Sequence, residues 1–530
     1  MENPAEQKTP GSPLYSSEVK KMQPGESLRK LQNIDREIQL LVHTAALLQW
    51  DQETGMPSEA IGERADQIAL LEGLVHDRLT SGEAGDLLHD AGFTGAERIS
   101  PDEDGAERVE KAFIRSFGRA YERAAKLPRR LVTEMAQAAS QSQAAWIEAR
   151  KNSDFGHFQP HLERILSLVT EKAAAIGYKE QPYDALLDEF EPGMLTSHLK
   201  PVFEKLREQL SALVGKIVSF QDVDDSFRYR SYSPEKQREF SLEILRDMGY
   251  DFKRGRLDES AHPFTTSLGG SDIRITTHYK EKDLLNALFG TIHEGGHGLY
   301  ELGIDPKLHG TILGEGTSLG IHESQSRTWE NLIGRSPFFW KHYFPRLRDV
   351  YFPEELSDVS EMNFIRGINK VERSLIRINA DEVTYSLHVI LRFELELAML
   401  NGDLQVKDLP QAWNEGMRRL LGTTPPDDAA GVLQDVHWSM GAIGYFPTYA
   451  LGNLYGAQFL NTLRQDIPEM DQLMSNGKFL EIREWQREHI HSPGSIFTAE
   501  ELCLKVTGEA LNPDYFISYL ERKFHRLYDV

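Results

Sequence analysis

The run Leu284-Leu285-Asn286-Ala287-Leu288-Phe289-Gly290-Thr291-Ile292-His293-Glu294-Gly295-Gly296-His297-Gly298-Leu299 combines an apolar helical repeat with two histidines four residues apart. Leu284, Leu285, Leu288, Ile292 and Leu299 are apolar enough to bury a helix that starts near Asp283. On such a helix, side chains four apart lie on one face, about 6 Å apart along the axis. His293 and His297 can therefore offer two imidazole nitrogens to one cation. Glu294 is turned about 100° from His293, so it can reach a water at that cation without binding the cation itself. This spacing recurs in zinc peptidases for that reason. Gly295 and Gly296 fall mid-helix, where each costs up to ~1 kcal/mol relative to Ala. Something must offset that cost, and close approach of a substrate to the backbone would do so.

Just upstream, Asp272-Ile273-Arg274-Ile275-Thr276-Thr277-His278-Tyr279 alternates apolar and polar side chains and is rich in β-branched residues, which predicts a strand. Ser267-Leu268-Gly269-Gly270 reads as the turn before it. A strand beside the motif helix would let an extended peptide pair with its free edge.

A catalytic zinc needs a third protein ligand and an open position. The longer motif with a third histidine is absent, because Tyr300 and Gly303 occupy the places of its Gly and His. The third ligand is then expected to be an acid on a second helix. Gly320-Ile321-His322-Glu323-Ser324-Gln325 opens a helical run through Leu332, and Glu323 lies 26 residues after His297. Glu301 and Glu315 are rivals. Glu323 is also spaced to pair with Arg327 four residues on.

Outward from this centre, the chain of 530 residues reads as helical almost throughout. Leu31, Ile34, Ile38 and Leu41 recur at threes and fours, as do apolar residues in 68–79, 109–127 and 131–149. Residues 1–26, with Pro4, Pro10, Pro13 and Pro24, read as a disordered tail, and 27–530 as a single helical domain. A net charge of −23 and a pI near 5.3 argue against nucleic acid as a partner. No signal-peptide core or membrane-length apolar run is present. The lone Cys503 excludes an intrachain disulfide and a cysteine zinc cage. A cytoplasmic protein is expected.

Separated motifs occur in one order: His262-Pro263-Phe264; Asp272-Ile273-Arg274-Ile275-Thr276; His293-Glu294-Gly295-Gly296-His297; His322-Glu323-Ser324-Gln325; Ile376-Arg377-Ile378-Asn379-Ala380-Asp381; and Gly431-Val432-Leu433-Gln434-Asp435-Val436-His437-Trp438. With Trp50-Asp51-Gln52-Glu53-Thr54-Gly55-Met56-Pro57 before them, they make the chain resemble the carboxypeptidase Taq family from about residue 27 to its end. The resemblance implies a mainly α fold with a deep central groove and a small β-sheet next to the metal-site helix. It further implies a homodimer that removes single residues from peptide C-termini with broad tolerance.

The carried-over roles are chemically coherent. Zinc, or equally cobalt, one per chain and held by His293, His297 and Glu323, would polarise a carbonyl and acidify water. Glu294 would be the general base. His437 and Tyr445, with Tyr449 as alternative to the latter, would donate to the oxyanion. Arg274 and Arg377 are candidates for the substrate carboxylate; Arg377 could instead be held by Asp381 four residues on. His262 is a candidate groove residue. Two other readings stay open. One is an oligopeptidase or endopeptidase with the same site, which would still cut a peptide amidated at its C-terminus. The other is a non-enzymatic helical peptide-binding scaffold, against which retention of Glu294 speaks.

Overall fold

The computed structural model describes residues 24–95, 99–100, 103, 105–220 and 223–528. The tail assigned to residues 1–26 falls outside these except at its end, where a helix starts at Pro24. The protein is 69% helical, so it belongs to the mainly α class.

The helices expected from apolar spacing form with modest extensions, as Ile61–Leu79, Gly105–Lys126 and Arg129–Asn152. Along the Pro24–Thr54 helix, Leu31, Ile34 and Ile38 are buried. They join Phe113, Phe117, Ile304 and Leu308 in a small N-terminal core. A much larger core runs from Leu131 to Leu527 and encloses the motif helix. No helix among the described residues is long and apolar enough to cross a membrane.

The sheet has three strands, β1 (Gly255–Glu259), β2 (Thr265–Ser267) and β3 (Ile273–Thr277), in the order β1-β3-β2. β1 runs parallel to β3, pairing Arg256 with Arg274, and β2 runs antiparallel, pairing Thr266 with Arg274. The strand read from the sequence is therefore the middle one, and neither of its edges is open to a peptide. Its alternation reported a half-buried strand but not its neighbours, since Gly255-Arg256-Leu257-Asp258-Glu259 carries no comparable pattern. β2 is the edge strand beside the motif helix.

That helix spans Leu284–Gly303 and turns Ile292 and Leu299 into the large core. A second helix, Leu319–Arg327, crosses it, capped by Ser318, whose hydroxyl accepts from Ile321 N–H at 3.1 Å. A Cβ added at Gly296 would stand 2.7 Å from Ser326 Cα and 2.8 Å from the Gln325 carbonyl. On the other side, in the Pro447–Asp466 helix, a Cβ at Gly452 would collide with the Glu323 side chain, and one at Gly456 would come 3.1 Å from the Ser324 carbonyl. The second helix is thus gripped between glycine faces. A Cβ at Gly295 would meet Leu245 at 2.6 Å. Helix packing, not substrate approach, occupies the space beside Gly295 and Gly296.

Candidate metal and catalytic site

The helix crossing brings His293, His297 and Glu323 together. Nε2 of His293 and of His297 lie 3.7 and 3.5 Å from Glu323 Oε2. The three ligand atoms fall within 4.8 Å of one another, and no other such cluster occurs among the described residues. Two imidazole nitrogens and one carboxylate oxygen converging on a point suit a divalent cation with a coordination position to spare.

Each histidine is steered from behind. His293 Nδ1 lies 2.9 Å from Glu330 Oε2, and Arg327 Nη1 donates to that same oxygen at 3.1 Å. His297 Nδ1 lies 2.5 Å from His322 Nδ1, and His322 Nε2 lies 2.8 Å from Glu301 Oε1. Glu301 thus faces His322, not the histidine pair. Glu323 pairs with Arg327, Nε to Oε1 at 2.7 Å, while keeping Oε2 toward the histidines. Burial opposes its ionisation, but Arg327 and His293 outweigh burial and hold it well below the usual carboxylate range.

Glu294 is buried beside this cluster, and its Oε2 accepts from Thr265 Oγ1 on β2 at 2.7 Å. Burial pushes its carboxyl upward, against the opposing pull of His293 and of the Thr265 hydroxyl.

A second group packs toward Glu323. His437 Nε2 lies 3.2 Å from the Tyr449 hydroxyl, and its ring centroid lies 5.3 Å from that of Tyr445. His437 Nδ1 is buried with no hydrogen-bond partner. Burial lowers this histidine to about 4, so it is neutral near pH 7. Burial raises both Tyr445 and Tyr449, and the negative charge of Glu323 adds to the rise in each. Arg377 stacks 4.7 Å from the Tyr449 ring centroid. It donates from Nε and Nη2 to Asp435 Oδ1 at 3.1 and 2.8 Å and from Nη1 to the Tyr385 hydroxyl at 2.9 Å. Three of the five N–H groups of a guanidinium are engaged in this way, which leaves one on each terminal nitrogen. Burial opposes ionisation of Asp435, but Arg392 and Arg377 hold it ionised.

Two details of Arg377 differ from expectation. It lies in a 3₁₀ turn, Arg377–Asn379, and its acid is Asp435 rather than Asp381. Asp381 instead accepts from the Val383 and Thr384 N–H groups at 2.9 and 3.1 Å, shaping the entry to the Tyr385–Leu400 helix. The i,i+4 pairing presumed a helix that the chain does not form there.

Arg274 is clamped by Asp272, at 2.9 and 2.8 Å, and lies 4.3 Å from the Trp50 ring centroid. His262 is exposed on the connection between β1 and β2. Neither hydrogen-bonds to the histidine pair or to the Arg377 group. Glu330, Thr265, Tyr385 and Asp435 carried no assigned role from sequence, whereas the Glu323–Arg327 pair forms as its i,i+4 spacing allows. Glu323, Arg327 and Glu330 sit at i, i+4 and i+7, a shared helical face that would have grouped them.

The profile of the carboxypeptidase Taq (M32) metallopeptidase family matches residues 30–524. Thermostable carboxypeptidase 1 of Thermus thermophilus is 44% identical over 520 residues, covering 96% of this chain and 100% of that protein. Carboxypeptidase 1 of Bacillus subtilis is 41% identical over 484 residues, covering 91% and 95%. The crystal structure of the M32 carboxypeptidase from Deinococcus radiodurans superposes with a TM-score of 0.90 at 40% identity, covering 95% of this chain and 100% of that one. Fold and relatives together define a helical metallopeptidase. The chain belongs to the carboxypeptidase Taq (M32) family, and is thereby a metallocarboxypeptidase.

Proposed function

We propose that this enzyme releases single residues from the C-termini of peptides, with broad tolerance for the residue removed, using one zinc ion per chain. The observation that carries the reading is Glu323 Oε2 facing both histidine Nε2 atoms at 3.7 and 3.5 Å, with Glu294 buried alongside. Zinc on His293, His297 and Glu323, or cobalt in its place, would supply carbonyl polarisation and acidify the attacking water. Glu294 takes the proton of that water and passes it to the leaving amine. Thr265 holds Glu294 in position through its hydroxyl. His437 and Tyr445, with Tyr449 as the alternative to the latter, donate to the oxyanion. Arg377 receives the substrate carboxylate on its two remaining N–H groups, because a buried anion requires a charged or multiple-donor partner. Arg274 is the alternative partner for that carboxylate, and His262 the candidate groove residue. We further place the enzyme in the cytoplasm, in keeping with its single, buried Cys503, and read it as a homodimer on the family resemblance alone.

Mass spectrometry of a mixed peptide digest, with and without chelator, tests this. Ladders of single-residue C-terminal loss that stop on chelation are expected. Internal fragments would make the enzyme an oligopeptidase, and chelator-insensitive ladders would overturn the metal mechanism.

A further inference from the structure

We propose that His322 and Glu301 are positioning residues that fix the tautomer and orientation of His297 for metal binding; this rests on the reading of His293, His297 and Glu323 as ligands. His297 Nδ1 and His322 Nδ1 stand 2.5 Å apart, so one proton lies between them. His297 turns Nε2 toward Glu323 Oε2. If that nitrogen is to ligate, it carries a lone pair, and the His297 proton is on Nδ1. His322 Nδ1 is then the acceptor, which places the His322 proton on Nε2, 2.8 Å from Glu301 Oε1. Every proton has one place, and the chain ends on a carboxylate.

The arrangement follows from the two crossing helices. Glu301 lies one turn beyond His297 on the same helix, and His322 enters from the other helix to bridge them. Packing holds His322 in place. A Cβ at Gly316 would stand 2.8 Å from its Cδ2, and the Tyr300 ring centroid lies 5.0 Å from its own. Gln325, one turn further along, is anchored by His491 Nε2 at 2.9 Å. The two ligand histidines are therefore backed differently: His293 by a carboxylate directly, His297 by a carboxylate through a second imidazole. Such partners orient the ring and raise its basicity as a ligand.

The test is zinc affinity of the purified chain, by competition with a chromophoric chelator. His322→Leu and Glu301→Leu are each expected to weaken binding roughly 10–100-fold. His322→Gln retains an acceptor for His297 and a donor for Glu301, and is expected to bind close to wild type. Because Glu301 acts through His322, the double leucine variant is expected to bind no worse than His322→Leu alone. Wild-type affinity in both leucine variants, or additive losses in the double variant, would overturn the relay. His297→Ala is the control: if it keeps its zinc, the ligand assignment fails, and not the relay alone.

Discussion

Arg327 and Glu323 share one contact that divides a carboxylate in two: Arg327 Nε holds Oε1 at 2.7 Å, leaving Oε2 to face His293 and His297. The same guanidinium reaches Glu330 through Nη1 and stacks 4.3 Å from the Tyr385 ring centroid. Tyr385 in turn accepts from Arg377. One line of contacts therefore joins the metal triad to the arginine proposed to read the substrate carboxylate.

Glu323→Ala is expected to leave the purified protein with far less than one zinc per chain, measured by elemental analysis after dialysis. Glu315→Ala is expected to keep its zinc. Glu315 contacts neither ligand histidine, so full zinc occupancy in the Glu323 variant would move the third ligand elsewhere.

Glu294→Gln is expected to retain zinc and thermal stability while kcat falls roughly 10²–10⁴-fold, the usual contribution of a positioned general base. The Gln amide still accepts from Thr265, so the fold is not disturbed. Loss of metal from this variant would contradict its assignment as a base rather than a ligand.

Gly452→Ala places a methyl group into the Glu323 side chain. Overpacking of this kind costs about 1–3 kcal/mol. Because the atom displaced belongs to a ligand, zinc affinity is expected to fall together with the melting temperature. A matched substitution at Gly215, exposed within the Thr196–Phe220 helix where a Cβ meets nothing within 4 Å, is expected to leave zinc affinity unchanged and to raise the melting temperature slightly, since Ala favours a helix interior over Gly.

Amidating the peptide C-terminus is expected to abolish cleavage, and Arg377→Met to lower kcat/KM at least about tenfold on free peptides. That corresponds to loss of a charge-assisted pair worth ~1.5–3 kcal/mol. Arg274→Met is expected to have the smaller effect, since Arg274 is already clamped by Asp272 and stacked on Trp50. Equal rates on free and amidated peptides would make the enzyme an oligopeptidase.

Asp35 gives a pH-dependent stability with a defined sign. Burial raises it from 3.8 to about 6, against hydrogen bonds from Ile312 N–H and Gln39. Between those values the folded state holds a proton that the unfolded state has released. Stability therefore falls as pH rises from about 4 to about 6 and is level above, a loss of about 3 kcal/mol at most. Asp35→Asn, with Gln39 turned to accept from it, removes this term. The variant's melting temperature is expected to rise relative to wild type across that pH range. A difference that does not change with pH would exclude Asp35 as the cause.

Much of the centre was legible because it is local. A helix places residues four apart on one face whatever surrounds it, so His293 and His297 paired, and Glu294 turned aside, follow from spacing alone. The apolar repeat buries that helix, and the missing third histidine leaves the third ligand position to an acid such as Glu323. The tertiary structure decided what spacing does not encode: which atoms meet when two helices cross. The crossing set His322 against His297, Glu301 behind His322, and Glu330 behind His293. It also assigned the space beside Gly296 to the backbone of a neighbouring helix, and gave Arg377 to an acid 58 residues away. β3 took the middle of its sheet for the same reason, since a strand's own alternation fixes its faces while its edges depend on distant segments.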